Sequence, residues 1–394
     1  MAQRPRLGRN IVALAAVSLL TDVASEMTYP LLPVFLASVL GASATSVGAI
    51  EGAAETTAAL LKLASGWWSD RVSQRKPLVL AGYTLASVIR PLIGLAQSVS
   101  QVLAIRVTDR VGKGIRTSPR DALIADSVDP AIRGRAFGFH RAADNAGAMV
   151  GPLLAFAFLK WGGLPLRTVF LLTAIPGALA VLMLFFGVRE VPRAAPRKQA
   201  QKLDLKTPLG KRFWAFLGVL LLFTLGNSTD AFLILRASQL GVSTALIPIL
   251  WAMLSLVKAA ASTPGGILSD RVGRKPLIVA GWFLYAAVYF AFGRAGQSWQ
   301  AWALFAVYGL YFGLTEGVEK ALVADLVPED RRGAAFGWYN LALGIGALPA
   351  SLLFGFIWDH WSSTRAFDFG ALVALAAAAG LAVVAPGRRA SADV

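Results

Sequence analysis

Long apolar runs interrupted by short polar hinges set the pattern of this 394-residue chain. A helix needs about 20 mostly apolar residues to cross a bilayer. On that measure the chain predicts twelve spans, at roughly 10–38, 45–68, 77–97, 100–124, 134–159, 166–188, 212–237, 243–268, 276–294, 298–324, 334–358 and 366–386. The first run carries Asp22 and Glu26 and has no small-residue cleavage site. It is therefore expected to be a retained helix and not a signal peptide.

The polar hinges repeat. Gly66-Trp-Trp-Ser-Asp70-Arg71-Val-Ser-Gln-Arg75-Lys76-Pro77-Leu78 returns as Gly266-Ile-Leu-Ser-Asp270-Arg271-Val-Gly-Arg274-Lys275-Pro276-Leu277. Arg120-Asp121-Ala-Leu-Ile-Ala-Asp126, followed by Arg133, parallels Glu319-Lys320-Ala-Leu-Val-Ala-Asp325, followed by Arg332. The offset falls from 200 to 199 across the first hinge, because Ser73-Gln74 stands where the second copy has only Gly273. Two six-helix halves, 1–190 and 211–394, are expected, joined by a basic, proline-containing linker at 191–210. The fold class is then an all-α membrane protein of twelve transmembrane helices in two pseudo-symmetric six-helix bundles. A duplicated set of apolar segments is a signature of secondary transporters, whose substrate site lies between related halves.

Composition changes this picture little, and charge placement sharpens it. Hydrophobic residues make up 56% of the chain and charged residues 15%, against about 25% charged in soluble domains. The absence of cysteine excludes disulfides and thiolate metal sites. A net charge of +16 would suit nucleic acid if it were gathered on one surface. Instead the basic residues sit in short loops, at 71/75/76, 133/135, 271/274/275, 331/332 and 388/389, and in the linker. The opposite loops, such as 41–46 and 97–101, are nearly free of Lys and Arg. Positive-inside logic puts both termini in the cytoplasm of a multi-pass inner (plasma) membrane protein, with lipid and not nucleic acid as its surroundings.

Charges inside spans are costly and usually face a cavity or a partner. Asp22 and Glu26 lie four apart on the first span, as do Glu51 and Glu55 on the second. The fourth span carries Arg106, Arg110, Lys113, Arg116 and Arg120 as a cationic stripe, and the fifth adds His140, Arg141 and Asp144. The second half is poorer, with Asp230, Arg236, Lys258, Glu316, Glu319 and Lys320. The first half is expected to carry the chemistry, beside a more apolar wall. Arg106 and Arg110 are expected to pair with Asp22, Glu26, Glu51 or Glu55, either as a structural network or as substrate contacts. Asp22 and Glu26 are the leading proton-site candidates. Arg90, on the third span, has no account from sequence alone.

These residues resemble the major facilitator superfamily along the whole chain. The hinge is similar to that family's loop after helix 2; the second copy matches fully and the first departs by its insertion. Arg106 resembles the family's helix-4 arginine, and Gly147-Ala-Met-Val-Gly151-Pro152 the Gly-Pro motif of its exporters. Asp22-Val-Ala-Ser-Glu26-Met and the run from Asp109 to Asp121 resemble bacterial efflux permeases of the nickel-resistance and multidrug type. The resemblance implies alternating access, with Gly66, Asp70, Arg71, Arg75, Asp270, Arg271, Gly147, Gly151 and Pro152 as gate residues. For the hinge basic residues, a role as topology signals alone stays open.

The expected function is proton-coupled secondary transport, an exporter of a small organic solute, anionic or zwitterionic, acting as a monomer without cofactor. The cavity set is Asp22, Glu26, Glu51, Glu55, Arg106, Arg110, Lys113, His140, Arg141, Asp144 and Glu316. A divalent-metal efflux permease is the alternative; the cationic stripe and the scarcity of His and Cys oppose it. No nucleophile–base pair, metal-ligand spacing or phosphate loop is visible, so neither an enzyme nor a metal site is expected.

Overall fold

The computed structural model describes residues 8–69, 71–129, 132–191 and 209–384, with the Asp330 side chain excepted. The linker at 191–210 and Asp70 therefore fall largely or wholly outside the described residues. Among the described residues there are twelve long helical segments, close to the predicted spans. They are α1 (Arg9–Ser38), α2 (Ala44–Ser69), α3 (Lys76–Leu95), α4 (Val99–Asp126), α5 (Arg133–Lys160) and α6 (Leu166–Gly187). The second series is α7 (Lys211–Gln239), α8 (Ile247–Val272), α9 (Arg274–Arg294), α10 (Ser298–Asp325), α11 (Arg332–His360) and α12 (Ser363–Val384). Ten are long and apolar enough to span a bilayer. The other two, α2 and α4, are 26 and 28 residues long, and α4 carries the densest charge of any segment.

Local chemistry explains the irregularities. Pro30 and Pro33 cannot donate to the helix ladder, and α1 tightens to a 3-10 turn at Tyr29–Leu31, around Pro30 and just before Pro33. Thr21 and Thr28 return their hydroxyls to the Val17 and Ala24 carbonyls, so no polar group is stranded in an apolar helix. At the start of α4, Ser98 Oγ accepts from the Gln101 N–H at 3.3 Å, while Gln101 Oε1 accepts from the Gln97 N–H at 2.7 Å. The two hinges differ for a physical reason. Gly273 turns the second with φ 98°, a conformation that side chains rarely adopt. The first copy has no glycine there and carries one more residue, Ser73-Gln74, between the end of α2 at Ser69 and the start of α3 at Lys76.

The chain divides into two compact units, Met1–Leu40 with Thr57–Lys202 and Thr244–Ala252, and Gly41–Thr56 with Leu203–Ser243 and Met253–Val394. In the first unit, α5 lies against α1 and α3 against α4. Small residues allow the close approach that membrane helices use in place of a hydrophobic drive. A Cβ on Gly82 would meet the Gly112 carbonyl oxygen at 2.6 Å, and one on Gly112 the Gly82 oxygen at 2.7 Å.

In the second unit, α9 packs on α12 around an aromatic core: Phe223, Trp282, Tyr285, Tyr289, Tyr308 and Phe367. This unit also holds the first turns of α2, seated along the last turns of α11. Asp359 caps α2, accepting from the Ala44 N–H at 2.9 Å, the Thr45 N–H at 2.7 Å and the Thr45 hydroxyl at 2.6 Å. Below the cap, Gly355, Gly48 and Gly52 give near-contact of the two backbones, and Thr56 donates to the Gly344 carbonyl at 2.6 Å.

Candidate functional site

The charged chemistry of the first unit centres on α4. Its residues 106, 109, 110, 113, 116 and 120 follow three- and four-residue steps, so one face carries them all. Asp109 is the hub. It is 2% exposed, accepts from Arg90 Nη2 at 2.7 Å, and lies 3.7 Å from Arg106 Nη1, with Arg110 and Arg116 also facing it. Arg90 donates its other nitrogen to the Thr21 carbonyl at 3.5 Å, which ties α3 to α1. The intramembrane charge of α3 is thus the counter-ion of a buried acid on α4. Asp109, a partner of Arg106 on the same helix, was not among the sequence candidates. It could have been found, because Asp109 sits three residues from Arg106 within the same stripe.

A second cluster surrounds Asp22. Asp144 of α5, Glu26, Lys113 and Arg116 face its carboxyl. His140 Nδ1 is 3.6 Å from Asp144, and Arg120 and Arg141 flank the imidazole. The glycines of the Gly-Pro motif bring this about. A Cβ on Gly147 would lie 2.5 Å from the Leu19 oxygen and 2.8 Å from Asp22 Cβ. One on Gly151 would lie 2.6 Å from the Val23 oxygen and 3.0 Å from Glu26 Cβ. The motif, with Pro152 buried beside it, therefore seats α5 on the acidic face of α1. Glu26 also accepts from the Trp251 indole at 2.8 Å, and Trp251 packs on Tyr29 with ring centres 4.9 Å apart. Arg106 lies 6.0 Å from the centre of the Tyr29 ring. Neither aromatic residue was a sequence candidate.

The structure thus gathers Asp22, Glu26, Arg106, Arg110, Lys113, His140, Arg141 and Asp144 in one unit. Glu51, Glu55 and Glu316 belong to the other. Glu51 is buried there, Glu55 faces Asp230, and Glu316 pairs with Lys320 at 3.4 Å. Asp230 also accepts from the Tyr308 hydroxyl at 2.7 Å.

The hinges show a staple in each unit. Arg75 pairs with Asp126 at the end of α4, and Arg274, in the same place of the repeat, reaches Asp325 at 3.5 Å and also bonds Asp270. Arg71 covers the Trp67 ring at 3.8 Å and donates to the Trp67 carbonyl. Arg271 is exposed, and Gly66 lies against Ser118 of α4, where a Cβ would make contact at 3.4 Å.

A family model described as Major Facilitator Superfamily matches residues 14–257 and 215–393. The chain belongs to that superfamily. An uncharacterized MFS-type transporter of Methanocaldococcus jannaschii is 35% identical over 94% of this chain and 93% of its own. An uncharacterized protein of Mycobacterium tuberculosis is 31% identical, over 91% and 89%. Among solved structures, a nucleoside transporter has the same fold, with a TM-score of 0.82 and 13% identity, covering 95% of this chain and 99% of that one. The fold class is therefore that of a major facilitator, and the chain is a multi-pass membrane transporter of that superfamily.

Proposed function

We propose that this chain is a proton-coupled secondary transporter working by alternating access of its halves, 1–190 and 211–394, and that it exports a small anionic or zwitterionic organic solute. The observation that carries the reading is the buried guanidinium cluster of Arg90, Arg106, Arg110 and Arg116 around one carboxylate, Asp109. Arginine forks bind carboxylate and phosphate groups in a two-toothed geometry, so a buried group of guanidinium side chains suits such a solute. Beside it, Asp22 and Glu26 supply carboxyls that can take up a proton as partners change. Among the described residues, no three His, Asp or Glu side chains come together to hold a metal ion.

In liposomes, Asp22→Asn and Glu26→Gln are expected to abolish uphill transport driven by a pH gradient while substrate exchange at equal pH persists. Arg106→Ala should impair both. A thermal-shift screen of organic acids, drugs and metals supplies the substrate, since a bound ligand raises apparent stability. Should both carboxyl variants keep full proton-driven accumulation, the coupling assignment is wrong.

The chain is placed in the inner membrane with both termini cytoplasmic, on the asymmetry of loop charge. Single cysteines at Ser73, Lys202 and Ser391 should be shielded from an impermeant thiol reagent in intact cells, and one at Ser43 should react. The native chain has no cysteine to compete. External labelling of Lys202→Cys would overturn the orientation.

A further inference from the structure

The two units hold matching triplets of side chains, all buried except the partly exposed Arg120. Positions 83, 120 and 140, on α3, α4 and α5, have counterparts 199 residues on at 282, 319 and 339, on α9, α10 and α11. In the first triplet Arg120 faces the Tyr83 phenol and the His140 ring. In the second, Trp282 Nε1 donates to Glu319 Oε1 at 3.0 Å, and the Tyr339 hydroxyl is 3.0 Å from Oε2. The repeat has kept a three-helix junction and exchanged a cation for an acid.

Glu319 is 6% exposed, and both of its hydrogen-bond donors are neutral. The groups that face it are Trp282 from α9, Tyr339 from α11, and Tyr311, Glu316 and Lys320 from its own helix. Lys320 is bound to Glu316 at 3.4 Å on a half-exposed surface. Among the described residues no ion pair reaches Glu319. An ionised carboxylate in such a place is costly, and taking up a proton removes the cost.

The donors suit that exchange. An indole N–H can only donate, so Oε1 is always an acceptor; a phenol both donates and accepts. Oε2 can accept from Tyr339 when ionised and donate to the Tyr339 oxygen when protonated, with no side chain changing place. Phe223 stacks on Trp282 at 4.3 Å and holds the indole in register.

We propose that Glu319 is a proton-binding group of this transporter, carrying its proton on Oε2, with Trp282 and Tyr339 as positioning residues. The proton comes from water and returns to water beside the Glu316–Lys320 pair, within one helical turn of Glu319. The assignment goes beyond the coupling role given to Asp22 and Glu26, and does not depend on it.

Infrared difference spectra of the reconstituted protein test it. At about pH 7, where ordinary carboxyls with values near 4 are ionised, the wild type should show the carbonyl stretch of a protonated acid. Glu319→Gln should lose that component, and Tyr339→Phe should shift its frequency by removing the acceptor of the acid proton. Asp22→Asn should leave it in place, so this assignment and the coupling role of Asp22 fail separately. If Glu319→Gln does not insert, Tyr339→Phe reads the same band. A wild-type spectrum without the band, a band that survives Glu319→Gln, or one that Tyr339→Phe leaves unmoved overturns the proposal.

Discussion

Replacing Asp109 by alanine is expected to destabilise the protein more than replacing any one of the arginines around it. The carboxylate is buried to 2% exposure between Arg90 and Arg106, with Arg110 and Arg116 facing it. Removing one partner of a buried ion pair costs about 3–5 kcal/mol, because the charge left behind has lost both water and its counter-ion. Asp109→Ala leaves several guanidinium groups without that acid. Arg90→Ala removes one cation and leaves Asp109 its other partners. Asp109→Asn keeps the shape and one acceptor oxygen, and should fall between the two. Thermal unfolding of the purified variants in one detergent gives the order. A smaller loss for Asp109→Ala than for Arg90→Ala would show that the cluster is held by something other than this carboxylate.

The repeat shows that such a junction does not require an arginine–aspartate pair. Positions 90 and 109 correspond to 289 and 308 of the second unit, and there Tyr289 and Tyr308 lie 6.3 Å apart, centre to centre. One unit has solved the same packing problem with aromatic surface and the other with an ion pair. Retaining a costly ionic solution in one half alone fits a role in binding solute, which the aromatic half does not need to duplicate.

Much of this was legible in the chain. Apolar run length gave the twelve segments because a bilayer imposes one length on every span, and the observed ends lie within about four residues of the predicted ones. The repeated words hold both partners of the Arg75–Asp126 and Arg274–Asp325 staples at one offset, a pairing that the sequence reading did not draw. Periodicity along a helix also placed the stripe of α4 and the pair Asp22–Glu26 on single faces. What periodicity could not give was partner choice across helices. Asp109, on the same helix as Arg106, went unnoticed, and Arg90 reaches it from α3. Glu319 was equally hidden, because its surroundings are set by Trp282 and Tyr339, which carry no charge to attract notice. The signal was present in the repeat, where Glu319 stands in register with Arg120. Trp251 and Tyr29 are long aromatic side chains in apolar runs, and nothing local separates them from core packing.

Joining Thr45 to Asp359 is expected to stop transport almost completely and reversibly. Asp359 closes the amino end of α2 with three hydrogen bonds of 2.6 to 2.9 Å, so its carboxylate meets both the free N–H groups and the positive end of the helix dipole. Below it the backbones of α2 and α11 nearly touch: a Cβ on Gly355 would lie 2.6 Å from the Ala44 oxygen, and one on Gly48 2.2 Å from the Ser351 oxygen. Residues 44 and 359 come from different halves of the repeat, so the alternating access proposed above requires this seam to part once in every cycle. In the cysteine-free chain, Thr45→Cys with Asp359→Cys bridged by a short thiol cross-linker should abolish flux, and cleavage of a reducible linker should restore it. Gly48→Leu attacks the same seam from the other side, since a leucine side chain cannot fit against the Ser351 backbone. That variant should insert in the membrane yet transport poorly, held with the seam parted. Asp359→Ala should be milder, because water can bond the α2 terminus when the seam opens. If flux is undiminished while the bridge is intact, α2 and α11 move as one body, and the opening that admits solute on that side lies between other helices.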